Sequence, residues 1–211
     1  MNLDDLARTR RSLHAVAEHV LAGPQHAVSD TVRLCVVEGG FATSTQPDVR
    51  LRDGHVEQGP TIIPVDGATS RQLLDGLGLS PSSLAEVYDD RTDVALDDPL
   101  TIDPAAYAVL VRAWGWGDAA LRDLAAGLVP VLWPEHFDVA ISVDEVNYGV
   151  SPGDTTIAEP YAYVGPWSPP PVGGFWTHSF GAARTVAELG SPEALADFLH
   201  EGRRLTGAGA R

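Results

Sequence analysis

Apolar and polar residues alternate most cleanly between Phe137 and Val143. Phe137, Val139, Ile141 and Val143 are apolar, with His136, Asp138, Ala140 and Ser142 between or beside them. A period of two marks a strand buried on one face. The even positions carry a histidine, a carboxylate and two small residues, not long solvated side chains. Such a face is expected to be covered, by another element or by a ligand. A second strand is predicted at 161–164, with Glu159, Tyr161 and Tyr163 on a common face.

Helical spacing appears at the N-terminus. Leu3, Leu6, Leu13, Val16, Ala17, Val20 and Leu21 form one stripe, and Gly23-Pro24 is expected to end that helix. A strand is predicted over 29–37, broken by Gly39-Gly40. Residues 49–52 and 56–57 flank Asp53-Gly54, a hairpin dipeptide, and 61–65 supplies another short strand. Thr69 with Gln72 reads as a capping box for a helix through Leu77. Ser80-Pro81 opens a further turn or two of helix. Asp103-Pro104 starts a long helix with Ala106, Leu110, Ala113, Trp114, Gly117, Leu121 and Leu124 on its buried face. A strand is predicted over 175–180, after a Pro-rich link at 168–174. Ser191-Pro192-Glu193 caps a last helix carrying Leu195, Phe198, Leu199 and Leu205 on its apolar side.

Grouped strands and grouped helices predict an α+β fold. The expectation is an antiparallel sheet with helices packed on one side. It forms a single domain over 1–206, with 1–66 as a helix-plus-meander subregion and a disordered tail at 207–211.

Composition narrows the chemistry. The 211 residues hold 29 acidic and 14 basic side chains, a formal net charge of −15. That charge disfavours phosphate backbones, so no nucleic-acid partner is expected. All the basic residues are arginine, which excludes Schiff-base catalysis and a phosphate-loop lysine. No run of about 18 apolar residues suggests a membrane span. The N-terminus lacks the apolar core of a signal peptide. Cys35 is the only cysteine, so a reducing, cytoplasmic setting is expected.

Several motifs invite chemistry and fail on physical grounds. Gly149-Val150-Ser151-Pro152-Gly153 matches the G-x-S-x-G elbow, whose oxyanion hole uses the N–H after the serine. Pro152 has no N–H, so a tight turn is the better reading. Gly115-Trp116-Gly117-Asp118-Ala119-Ala120 matches a dinucleotide fingerprint but lies within helical periodicity rather than after a strand. His14 and Glu18 share one helix face while His19 points elsewhere. A solvated His–Glu pair at a core boundary is expected there, rather than a zinc helix.

The stronger candidates sit between 130 and 167. His136 and Asp138, roughly 7 Å apart on one strand face, suit a grip on one ligand. With Glu159 they are the candidate catalytic residues. Carboxylates beside His136 favour its protonated form and burial opposes it, a balance suited to proton transfer near neutral pH. Trp133, Asn147, Tyr161, Tyr163 and Trp167 are the candidate ligand-binding residues, with room for a pocket where Ala140 and Ser142 face the tyrosines. The plain alternative is that His136 and Asp138 satisfy backbone groups of a covering loop. No spacing requires a metal, and no cofactor is specified.

The segments LWPEHFD, NYGVSPGD and EPYAYVGPW, with the later Gly-Phe-Trp and Phe-Gly-Ala runs, resemble a family of bacterial proteins from high-GC genomes that carries no assigned activity. The resemblance extends to SLHAVAEHVLAG and the strand leading to Gly39-Gly40-Phe41. It implies a stand-alone protein and transfers no catalytic residue. The functional expectation is a small-molecule-binding protein with an aromatic and acidic pocket. The alternatives are a hydrolase or isomerase using His136 with nearby carboxylates, with or without a metal, and an acidic module that docks on a basic protein.

Overall fold

Helix α1 (Leu3–Ala15) starts where Asn2 accepts a hydrogen bond from Asp4 N, the side-chain cap that a free helix N-terminus needs. In the computed structural model, which describes residues 2–170 and 173–207, the helix does not end at Gly23-Pro24. It passes through a π-helical turn, Val16–Ala22, into α2 (Gly23–Ser29). Asp30 then stops it in the left-handed conformation. The first strand is correspondingly shorter than expected, Leu34–Val37 (β1). Gln25 explains part of this. Fully buried, its amide donates to the carbonyls of Thr31 and Arg33 and accepts from the N–H groups of Ser44 and Thr45. An α2 continued past the proline places that clamp.

Contacts divide the chain into two compact units. One comprises the residues up to Val111 with Leu132–Phe137, and the other Arg112–Val131 with the residues from Asp138 onward. The architecture is α+β, as the sequence predicts.

In the first unit, β1 continues as an antiparallel meander through β2 (Gly40–Thr43), β3 (Arg50–Arg52), β4 (His55–Gln58) and β5 (Thr61–Pro64). Leu132, from β6 (Val131–Trp133), pairs with Leu34 on the other side of β1. Asp53 and Gly54 both take positive φ, 49° and 76°, the pair of left-handed residues that a two-residue hairpin turn requires. The π-helical turn packs on β1 and β2, burying Val16, Val20 and Leu21 completely. Helix α3 (Ser70–Leu77) carries the predicted capping box. No helix follows Ser80-Pro81; the stretch to Leu100 is loop and turns.

Helix α4 (Pro104–Leu124) belongs to the first unit as far as Val111 and to the second from Arg112. Asp103 accepts from Ala106 N at 2.8 Å, so Asp-Pro is indeed its start. The second unit holds four antiparallel strands in the order β10-β9-β8-β7. They are β7 (Asp138–Val143), β8 (Val146–Ser151), β9 (Tyr161–Pro166) and β10 (Ala182–Thr185). The strand expected over 175–180 is absent. There His178 and Gly181 close a tight turn ahead of β10. Short α5 (Val186–Leu189) leads to α6 (Pro192–Leu205), capped by Ser191.

Registers put Val139, Ile141, Tyr148, Val150, Ala162 and Val164 on one face of this sheet, and all are buried. Two glycines let helices reach it. A Cβ on Gly117 would stand 2.7 Å from Val150, and one on Gly202 2.5 Å from Val164. Gly117 therefore serves helix packing, not a dinucleotide. Ile141→Ala is expected to cost about 2–5 kcal/mol through lost burial and the cavity left behind, read by urea unfolding. Part of the Pro-rich link, 171–172, and most of the expected tail, 208–211, lie outside the described residues.

Candidate functional site

Pro24 is the origin of the first unit's unusual feature. In a regular α-helix its ring would strike the carbonyl four residues back, and its missing N–H would leave that carbonyl unbonded. A π-turn, with bonds from i to i+5, avoids both by widening the helix just before the proline. Gly23 N–H donates to Glu18 O in this pattern. Each π-turn holds about one more residue than an α-turn, which rotates the side chains that follow His14. Glu18 and His19, expected to diverge, both line one cavity.

That cavity measures about 460 Å³. Its walls are Glu18 and His19 on the π-helical turn, residues 81–84, and Arg91, Thr92 and residues 94–96. Gly23 sets the distance between two walls, because a Cβ there would lie 2.5 Å from the Ser82 carbonyl oxygen.

Glu18 is 5% exposed, so the solvated pair expected with His14 does not form. Its Oε2 accepts a hydrogen bond from Thr92 N at 2.8 Å. His14 Nε2 is 3.9 Å from the same oxygen, too far for a hydrogen bond. That nitrogen instead donates to Pro134 O at 2.6 Å, and the ring stacks on Phe137 with centroids 5.3 Å apart. His19 Nδ1 lies 3.2 Å from Ser70 Oγ. Among the described residues the buried Tyr88 hydroxyl has no hydrogen-bond partner.

Burial sets the protonation of this cluster. It raises the Glu18 carboxyl above the usual range, with the Thr92 N–H and the Arg91 guanidinium pulling back. It lowers both His14 and His19, Asp90 and Asp93 opposing it at His14. The Tyr88 phenol is pushed far up, first by burial and then by Glu18. At neutral pH the two histidines are therefore neutral, and burial disfavours the charged form of Glu18.

The candidates from the sequence separate. His136 does not continue the β7 face. Phe137 has φ 54°, which breaks the alternation, and the strand begins at Asp138. The His136 ring is 61% exposed in the turn over 134–137, its Nδ1 3.6 Å from Asp90 Oδ2. Glu159 lies in the loop before β9, not on the strand. Trp133 sits in the first unit under the Arg33 guanidinium, 5.6 Å from its ring centre.

In the second unit three candidates do meet. Asp138, Tyr161 and Tyr163 share the sheet face opposite the apolar one. The Tyr163 hydroxyl donates to Asp138 Oδ2, and Tyr161 donates to Asp154 Oδ2 at 2.5 Å. Burial, then the facing carboxylates, push both phenols up. Tyr163 lies across Gly149, where a Cβ would stand 2.6 Å from its hydroxyl. Asn147 Oδ1 accepts from Ser142 Oγ at 2.7 Å and from the Trp167 indole at 3.0 Å, with Trp167 itself exposed. Ser151 Oγ accepts from Gly153 N, the tight turn read from G-x-S-x-G.

Among the described residues no three His, Cys, Asp or Glu side chains converge as a metal cluster, and no helix is long and apolar enough to cross a membrane. No protein-family model, curated protein or solved structure matches the chain.

Proposed function

We propose that the chain is a small-molecule-binding protein whose site is the cavity walled by the π-helical turn and the 81–96 segment. One observation carries this reading. Glu18, a nearly fully buried carboxylate whose single hydrogen-bond donor among the described residues is Thr92, lines an open cavity. Burying a carboxylate is costly, and an apolar residue of similar volume would stabilise such a position better. A strained acid in a cleft, on a π-turn, is the pattern that functional sites produce. The balance of the lining also fits. Leu84, Val94 and Leu96 offer apolar wall, with a few polar groups to orient a ligand. The raised Glu18 carboxyl also suits proton transfer to a bound molecule, so turnover is the second reading.

Thermal melting with a small-molecule panel tests the site. A ligand at a hundredfold excess over its Kd adds about 2.7 kcal/mol of stability. Ala95→Phe fills the cavity from its exposed rim. Compounds that stabilise the native chain are expected to lose their effect on this variant. An unchanged effect would put the ligand elsewhere.

A further inference from the structure

We infer that this cavity selects a compact zwitterion, its ammonium group against Glu18 and its anionic group against Arg91, as an α-amino acid would present them. The inference rests on the small-molecule reading above and names the ligand class.

Arg91 supplies the observation independent of Glu18. Among the described residues it is the arginine that makes no hydrogen bond, ion pair or ring contact. It does so in a chain with twice as many acids as bases, beside Asp89, Asp90 and Asp93. Asp93 is taken by Arg11 at 2.7 Å, and Asp90 faces His136. The guanidinium is thus left at the cavity wall, near enough to Glu18 to depress its carboxyl. A guanidinium offers a planar fork that matches a carboxylate with two parallel bonds. A buried carboxylate offers acceptors to an ammonium.

The two charges constrain the ligand jointly. A simple amine would meet Glu18 but leave a guanidinium facing it. A simple acid would meet Arg91 but face a buried carboxylate. A molecule carrying both charges a few bonds apart satisfies both walls, and its side chain meets Leu84 and Val94. Ammonium binding favours the anionic form of Glu18, so affinity should rise with pH through the raised Glu18 value.

Calorimetric titration decides it, using L-leucine, L-valine and L-methionine beside 3-methylbutylamine and 4-methylpentanoate. At least one amino acid is expected to bind, with both single-charge analogues weaker by about tenfold or more. That factor corresponds to about 1.4 kcal/mol, within the range of one charge-assisted hydrogen bond. Arg91→Gln and Glu18→Gln should each weaken the amino acid by a similar factor. Arg91 is exposed and offsets only part of the Glu18 charge, so its replacement should lower the melting temperature only slightly. Equal binding of the amine, indifferent to Arg91→Gln, overturns the zwitterion and leaves the small-molecule reading standing. So does failure of all five probes when other compounds stabilise the native chain but not Ala95→Phe. If no compound of any class stabilises the chain, both fall.

Discussion

Phe137→Ala is expected to destabilise the protein by about 3–5 kcal/mol, one of the largest effects of any single substitution. Phe137 is 2% exposed. Its ring meets Phe41 edge-on at 5.5 Å and stacks on His14 at 5.3 Å. Its backbone is left-handed, φ 54°, a conformation that crowds any Cβ. Alanine keeps that steric cost and loses the packing that offsets it. The empty space would also uncover one face of His14, whose burial holds it neutral. Urea unfolding gives the number. A loss below about 1 kcal/mol, as at an ordinary surface site, would show that Phe137 does not anchor this turn.

Glu18→Gln is expected to have opposite effects on stability and on binding. The amide keeps an oxygen for Thr92 N–H and removes the buried charge. The folded Glu18 carboxyl lies above its unfolded value of 4.5. Its contribution to stability is therefore full below about pH 4.5 and is lost as pH rises through the folded value. The glutamine variant should melt higher than the native chain at pH 7, with the gap closing on acidification toward pH 4.5. His14 and His19 run the other way. Their folded values lie below the unfolded 6.5, so their contribution is present above pH 6.5 and lost as pH falls. Both proteins should share that acid-side decline. Binding of the amino acid, by contrast, should weaken by about tenfold in the variant. A variant less stable than the native chain at pH 7 would mean that the Glu18 charge serves the fold.

Much of the architecture is legible because it is written locally. Asp53-Gly54, the Thr69–Gln72 box, Asp103-Pro104 and Ser191-Pro192 each bond or bend within a few residues. Alternation over 138–143 and 161–164 likewise needs no distant partner. The errors arise where distant contacts override a local rule. Gly23-Pro24 reads as a stop, since the sequence exposes the missing N–H but not the Ser82 carbonyl against Gly23 or the hydrogen bonds of Gln25. His136 reads as part of β7 because alternation does not register one left-handed residue, Phe137. Beside Ala140 the register sets Tyr163 opposite Gly149, a cross-strand pairing that alternation within one strand does not reveal. Glu18 and His19 were visible in His-x-x-x-Glu-His. Their burial depends on the 81–96 loop, which has no periodicity to reveal where it packs.

The most direct test is a backbone amide map of ligand binding. Nuclear magnetic resonance spectra of the ¹⁵N-labelled chain are recorded while a stabilising compound is added. The shifts are expected to cluster at Glu18, His19, Ser82, Thr92 and Ala95, and to need about tenfold more ligand in Glu18→Gln. Shifts centred instead on Asp138, Tyr161 and Tyr163 would contradict the assignment of the cavity as the binding site.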